Sequence, residues 1–532
     1  MKVKIWYRIA FAMALGLFLF AAGLILYYII FPGPGYFHAD CTDTIYWAQA
    51  TYLSGRIFDP DFTYAAMLPF GGSLLMLPWI SIFGVSMTTH TIGMVLFAFC
   101  LISAFLFFFW SLHVGWTENL TFTAIALMLL SSTDKLREMF WGHVIYYSLG
   151  VLFFLIGTGL VARLLERSEQ SKKKRNIIYG IMCLFVFLTA LDGMQMVAIF
   201  AFPLAASLFL DCFFDLEKPL FDKQNRSPLG LFISIIGVTI LGLVTLELLR
   251  NGQRAYYADG YSGFSLASEW GTNCLKLINH WFSLFGGTFS ETLTTFSFDI
   301  IWTIIRFVLA IFLIVFPFFG VFLYRKIADR IIRVVIINHF VLMLVILGGF
   351  IFGSLGAANW RFIPLLASCI ITSLVLIWYF VRRLKWYRFG ILFLPLLGLG
   401  MVASMVQIAV MPVDYGRDGA AYELSEFLLA NNLTYGYAEF WQSQSITVIS
   451  GSQVQARNII VSSTGVTPAF YQSSSTWFTD QEDVNQYFVV VNSARKYWFE
   501  LSDVYIEHAS TLETEYLVGD FIIYVFNENP LS

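Results

Sequence analysis

The sequence has few charged residues and lacks a cysteine pattern typical of metal sites. Only 13% of its 532 residues are charged, and the formal net charge is −3 at pH 7. A chain of this kind lacks the basic excess of nucleic-acid-binding proteins, so we expect no nucleic-acid partner. Its six cysteines include no C-x-x-C pair, which argues against a zinc-finger-like site.

Apolar and aromatic residues are abundant instead. They make up 58% and 18% of the chain, and the mean hydropathy is +0.72. Runs approaching the roughly 20 apolar residues that cross a bilayer recur along most of the sequence. We therefore predict an α-helical polytopic membrane protein with about eleven spans, at residues 7–31, 86–112, 119–133, 143–164, 177–191, 194–213, 229–248, 299–323, 334–355, 362–381 and 389–411.

Lysine and arginine are unevenly divided between the loops that join these spans. Most of them fall in one alternate set of short loops, which the positive-inside rule assigns to the cytosol. We therefore predict a multi-pass plasma-membrane protein with a cytoplasmic N-terminus. An odd number of spans then leaves three large segments outside: residues 32–85, residues 250–298 and a tail from residue 412.

The tail has the pattern of a small soluble domain. Residues 420–431 have the apolar spacing of an amphipathic helix, and strand-like runs follow at 458–462, 487–491 and 521–526. We predict a transmembrane domain over 1–411 and an extracytoplasmic α/β domain over 412–532.

Two carboxylates follow the first span, at the predicted outer membrane surface. Asp40 and Asp43 stand at the start of a predicted helix over 43–54, which Gly55 ends. The helix dipole there favours ionised carboxylates that accept a proton or bind a cation. Asp43 has an alternative explanation as a helix N-cap, whereas Asp40 precedes the expected helix start.

This layout resembles the GT-C superfamily of membrane glycosyltransferases. The resemblance rests on Asp40, on Tyr46-Trp47-Ala48, on Gly55 and on Leu68-Pro69-Phe70-Gly71-Gly72, combined with the predicted topology. Cys41 departs from the Glu or Pro that many members carry there, so the choice between Asp40 and Asp43 stays open. The resemblance implies a donor sugar on a polyprenyl or dolichyl phosphate, and an acid of the first outer loop as catalyst.

Other polar residues near the outer surface are candidates for substrate binding. The resemblance implies a second acidic group at Glu138 and a lipid-phosphate contact at Arg361. The alternatives are a solvated turn for the first and an arginine that reaches toward headgroups for the second. The remaining candidates are His143, Asp192, Arg254 of the middle outer loop, and the aromatic residues Tyr46 and Trp47. The alternative explanations are a buried structural histidine for His143 and a helix cap for Asp192.

These observations predict an inverting membrane glycosyltransferase with an aspartate general base. Its partners would be a lipid-linked sugar donor, membrane lipid, and a glycan, lipid or protein acceptor of the cell envelope. The sequence leaves open whether the reaction requires a divalent cation such as Mg²⁺ or Mn²⁺. The alternative functions are a lipid or polysaccharide transporter or flippase, and a noncatalytic GT-C-like scaffold.

Overall fold

The computed structural model describes residues 2–166, 171–214, 219–256, 263–289, 297–482 and 484–531. They form two compact units. The helical unit comprises Met1–Tyr27, Ala98–Leu248 and Asp259–Met411. The sheet unit comprises Tyr28–Phe97, Leu249–Ala258 and Pro412–Ser532, so the whole predicted first outer loop, 32–85, belongs to it. The division into domains at residue 411 stays a prediction.

Helices account for most of the described chain. In chain order they are α1 (Lys2–Ile30), α2 (Asp43–Ser54), α3 (Ser73–Phe83), α4 (Met87–Ser111), α5 (Trp116–Leu129), α6 (Asp134–Trp141), α7 (Tyr146–Leu165), α8 (Lys172–Ala190), α9 (Met194–Met196), α10 (Phe202–Phe214), α11 (Arg226–Arg250), α12 (Trp270–Leu284), α13 (Phe298–Val315), α14 (Phe318–Phe322), α15 (Arg330–Ile351), α16 (Ile363–Arg382), α17 (Tyr387–Ala409), α18 (Ala420–Ala430), α19 (Phe440–Ile449), α20 (Lys496–Glu500) and α21 (Asp503–His508).

Within the described ranges, nine helical segments are long and apolar enough to cross a membrane. They are Ile5–Ile30, Met87–Ser111, Tyr146–Leu165, Met194–Phe214, Arg226–Arg250, Asp299–Phe322, Arg330–Ile351, Asn359–Arg382 and Tyr387–Ala409. The polytopic helical class is thus confirmed, with a lower count than the eleven predicted spans. Two predicted spans do not qualify.

The two spans that do not qualify fail for different reasons. The predicted span 119–133 is α5, whose 14 residues rise only about 21 Å, too short for a bilayer core. The predicted span 177–191 is α8, whose first turn carries Lys172, Lys173, Lys174 and Arg175. These four cations shorten its apolar stretch.

The described strands of the sheet unit are β1 (Phe62–Thr63), β2 (Tyr435–Glu439), β3 (Gln455–Ser462), β4 (Gly465–Pro468), β5 (Ser473–Ser474), β6 (Tyr487–Asn492), β7 (Leu512–Val518) and β8 (Phe521–Phe526). Six of them form a mixed sheet of order β4-β3-β2-β6-β8-β7, and β1 and β5 form a separate pair. Strand β2 is parallel to β3 and β6, and the other pairs of this sheet are antiparallel. The predicted strands and the predicted helix over 420–431, here α18, are confirmed.

Both faces of this sheet are buried. On one face, Leu428 of α18 and Ile446 of α19 pack with Phe488 in one apolar cluster. On the other face, Phe499 of α20 packs with Tyr524 in a second cluster. Since α19 and α20 cover opposite faces, the sheet is the middle layer of an α/β sandwich.

The first outer loop and the C-terminal segment fold together within the sheet unit. Strand β1 of the loop pairs antiparallel with β5, through Phe62 with Ser474 and Thr63 with Ser473. A side chain at Gly35 would clash, since a Cβ there would lie 1.6 Å from the Tyr415 carbonyl oxygen. Glycine is therefore required for this close backbone approach.

Candidate active site

Asp40 lies in a short 3₁₀ turn, Ala39–Thr42, that leads directly into α2. The turn is held by backbone hydrogen bonds, and the Asp40 N–H also donates to His38 Nδ1 at 3.3 Å. The Asp40 side chain is half-buried. Within the described part of the chain its carboxylate makes no hydrogen bond or ion pair, so its oxygens are open to a ligand.

Asp43 has a different environment. It is the first residue of α2, is only 6% exposed, and follows Thr42, the residue in the N-cap position. Its carboxylate therefore lies in the first helical turn, where the helix dipole stabilises negative charge, rather than at the cap itself. Gly55 ends α2 with φ +66°, which confirms the predicted helix bounds.

A chain of buried hydrogen bonds fixes this turn and α2 to the C-terminal segment. Thr42 Oγ1 donates to Gln444 Oε1 at 2.8 Å, and Gln444 Nε2 donates to the Gln472 carbonyl at 2.6 Å. The Trp47 indole N–H donates to Gln472 Oε1 at 2.7 Å. The backbone that carries Asp40 is therefore anchored on α19.

The two aromatic candidates on α2 differ in what they border. Tyr46 is buried against Trp477, with ring centroids 5.6 Å apart, and burial raises the pKa of Tyr46. Trp47 is also buried but lines a small pocket of about 60 Å³ between α2, α3 and the segment that joins them. The pocket is mostly apolar, and its lining includes Phe58, Leu68 and Leu77.

Glu138 and Arg361 lie on adjoining elements of the helical unit. Glu138, on α6, forms an ion pair with Lys135 at 2.6 Å. The Lys135 ammonium lies 4.7 Å from the centre of the Trp360 ring, in the 3₁₀ turn Asn359–Phe362 that carries Arg361. Arg361 is buried and donates to the Ser354 carbonyl at 2.9 Å.

The other predicted site residues are scattered. His143 and Asp192, in the helical unit, are both buried. Gly193, rather than Asp192, occupies the N-cap position of α9. Arg254 is exposed and belongs to the sheet unit.

Candidate metal ligands do not cluster in the described part of the chain. Among the residues that the structure describes, no three His, Cys, Asp or Glu side chains converge as metal ligands would.

Two buried polar groups in the helical unit were not found from the sequence. Asp211, completely buried at the end of α10, forms ion pairs with Arg330 at 2.9 Å and Arg333 at 2.7 Å. On α15, His339 contacts Ser368 of α16 at 2.9 Å, beside the buried Asn338. The sequence did contain an indication of these groups, because a carboxylate or amide inside an apolar run must be buried with polar partners.

Comparison with known proteins supports a fold and no closer relationship. No protein-family model matches the chain, and no curated protein matches it. The apo structure of ArnT from Cupriavidus metallidurans matches with a TM-score of 0.52 and 10% identity, over 100% of this chain and 99% of ArnT.

Two other solved structures match with lower scores. ArnT from Cupriavidus metallidurans bound to undecaprenyl phosphate matches with a TM-score of 0.49 and 11% identity, covering 99% of each chain. The Archaeoglobus fulgidus oligosaccharyltransferase, solved with Zn and sulfate, matches with 0.47 and 12% identity, over 91% of this chain and 70% of that one. The predicted fold, an α-helical polytopic membrane protein with a C-terminal sheet domain, is confirmed by the likeness to apo ArnT, and the chain is a multi-pass membrane protein.

Proposed function

We propose that the chain is a membrane glycosyltransferase that transfers a sugar from a polyprenyl-phosphate-linked donor to an acceptor of the cell envelope. The observation that carries this proposal is the Asp40 carboxylate in a GT-C-like fold. It is half-buried, is held on an anchored turn, and has no partner among the described residues. A positioned carboxylate with open oxygens is suited to accept a proton from a substrate.

The proposed reaction is a single displacement. Asp40 accepts the proton of an acceptor hydroxyl while that oxygen attacks the anomeric carbon of the donor sugar. The bond between this carbon and the lipid-phosphate oxygen breaks, and the phosphate leaves with the electron pair. The transition state has oxocarbenium character, as in glycoside hydrolysis, and attack opposite the leaving group inverts the anomeric centre.

A lipid-linked donor follows from the proposed orientation. If the first loop is outside, cytosolic nucleotide sugars are out of reach, and the sugar must already have crossed the membrane on a carrier. ArnT, with which this chain shares its fold, has been solved with undecaprenyl phosphate. The apolar lining of the small pocket beside Trp47 offers a contact surface for a few carbon atoms of such a lipid chain.

The remaining predicted contacts are part of the proposal. Arg361 would bind the lipid phosphate, because a guanidinium matches phosphate geometry. Glu138, His143, Asp192 and Arg254 stay predicted substrate contacts.

Replacement of Asp40 tests the proposed base. We expect Asp40→Asn to lose about 10²–10⁴-fold in transfer rate while remaining folded, since only the proton acceptor is removed. The measurement is transfer of label from a radiolabelled polyprenyl-phospho-sugar to envelope acceptors in membranes. Asp61→Asn, an exposed carboxylate of the same loop, is the matched control and should keep its activity.

The outcomes of this assay separate the candidates. Full activity in Asp40→Asn together with loss in Asp43→Asn would transfer the role of base to Asp43. Full activity in both variants would refute a first-loop base.

Transport or flipping remains the second candidate, because α15 and α16 carry the buried polar residues Asn338, His339 and Ser368. A transporter would leave the bond between sugar and lipid phosphate intact, which mass spectrometry of the recovered lipid detects.

A further inference from the structure

The sheet of the sheet unit has a crevice where its topology reverses. After β2 the chain forms α19 on one face of the sheet, and after the neighbouring strand β6 it forms α20 on the other face. The carboxyl ends of β2 and β6 therefore flank a topological switch point. Ligands of open α/β sheets bind in this kind of crevice.

Charged groups converge at this crevice. Glu439, the last residue of β2, forms an ion pair with Arg495, which follows β6. Arg495 also donates to the Val461 carbonyl at 3.3 Å. Burial raises the pKa of Glu439, although Arg495 opposes this change. A carboxylate and a guanidinium in one crevice provide acceptors and donors for several hydroxyl groups.

Trp441 lies two residues beyond Glu439 and is unusually exposed. It is 57% exposed, whereas residues 443–448 of the same helix are buried. Its ring lies 6.0 Å from the His38 ring, and His38 Nδ1 accepts the Asp40 N–H. The exposed indole therefore lies beside the turn that carries the proposed base.

Further aromatic rings extend from Trp441. Ring centroids are 5.1 Å apart from Trp441 to Phe440, 5.0 Å from Phe440 to Tyr471, and 5.3 Å from Tyr471 to Tyr256. Tyr256, at the far end, is 53% exposed. We call the four residues the aromatic row. Neighbouring rings meet edge to face, with interplanar angles of 66°, 75° and 78°, so the row is a bent chain of rings and not a flat platform.

We propose that the aromatic row, with Glu439 and Arg495 at its rim, binds a saccharide chain and presents its end to Asp40. This proposal rests on the proposed function and specifies the acceptor as a glycan rather than a protein or a simple lipid. Pyranose rings have an apolar C–H face that packs on an aromatic ring and hydroxyls that bond to ionic groups. The exposed rings of Trp441 and Tyr256 offer the first kind of contact, and the Glu439–Arg495 pair, next to Phe440 in sequence, offers the second.

Direct binding tests the proposal with the full chain in detergent or nanodiscs. The probes are cellohexaose, chitohexaose and maltohexaose, followed by saturation-transfer NMR and thermophoresis. We expect saturable binding of at least one probe, with contacts on successive sugar rings. Trp441→Ala should weaken it about tenfold, the upper range for one aromatic contact, and Trp441→Phe should retain most of it.

Control variants separate this site from general effects. Trp498→Ala removes a tryptophan that is 42% exposed in the same unit and should leave binding within about twofold. Asp61→Asn should bind normally, since its exposed side chain makes no contact with the row among the described residues. If Trp441→Ala loses saccharide binding while Asp40→Asn keeps full transfer activity, the glycan site stands and the proposed base fails.

Two results would overturn the glycan site. The first is the absence of saturable binding of all three probes by the folded wild type. The second is equal binding by wild type and Trp441→Ala, which would assign the exposed indole to another role such as an interfacial membrane anchor.

Discussion

Three aspartates of this chain show how surroundings determine the use of one side chain. Asp40 is half-buried with open oxygens, Asp43 is buried in the first turn of α2, and Asp211 is enclosed by two arginines. Only the first combines access with an unoccupied carboxylate. Asp211 also accepts the Tyr324 hydroxyl at 2.9 Å, which leaves it little capacity for other chemistry.

We therefore predict that Asp211 stabilises the folded protein. Asp211→Asn should destabilise the folded protein by about 3–5 kcal/mol, because it leaves Arg330 and Arg333 partly buried without their counter-charge. Thermal unfolding in detergent measures this as a lower midpoint. Glu269→Gln, at an exposed carboxylate, should leave the midpoint unchanged. An Asp211→Asn protein as stable as wild type would contradict the predicted role.

The sequence identified Asp40 because its position after a membrane span is a local property. It did not identify Asp211, whose partner Arg333 lies 122 positions away along the chain. Nor did it reveal that Tyr46 packs on Trp477. Aromatic residues on an amphipathic helix have the same spacing whether they contact a substrate or another part of the protein.

At the scale of elements, α2 and α19 depend on each other through Gln444. This amide accepts from Thr42 and donates to the Gln472 carbonyl. We expect Gln444→Leu to destabilise the protein by about 1–3 kcal/mol, since buried polar partners lose their bonds. It should also lower transfer activity, because the Asp40 turn loses an anchor.

Gln442→Leu provides the comparison for Gln444→Leu. Gln442 is on the same helix and half-buried, and its side chain makes no hydrogen bond within the described residues. Stability and transfer should both stay near wild type. Equal losses in the two variants would indicate a general effect of an added apolar side chain.

The sequence predicted the bounds of α2 and β8 well, because the residues that determine these bounds lie within or next to each element. The bounds of α2 follow from its apolar spacing and from Gly55, and β8 occupies the predicted 521–526. The errors at α5 and α8 have another origin. The hydropathy of α5 and of α8 is that of an apolar segment. A span also needs a long enough stretch of helix without charges, which neither α5 nor α8 has.

For the whole molecule, orientation in the membrane is the prediction on which the donor class depends. We expect Ser463→Cys, in the exposed turn between β3 and β4, to react with a membrane-impermeant maleimide in intact cells. Lys326→Cys, at an exposed position between α14 and α15, should gain label only after permeabilisation. Labelling of the wild type gives the background that comes from its native cysteines. The opposite pattern would place Asp40 in the cytosol and remove the reason for a lipid-linked donor.

Trp47 and Gln472 are 425 positions apart in sequence, yet they share a hydrogen bond. During synthesis the first outer loop emerges early, whereas β5 and Gln472 are translated near the end. The early loop must therefore wait for almost the entire chain before its turn is anchored. A chain that ends after the last membrane span would keep its apolar helices but lack the partner of Trp47, so the proposed activity requires translation of the C-terminal segment.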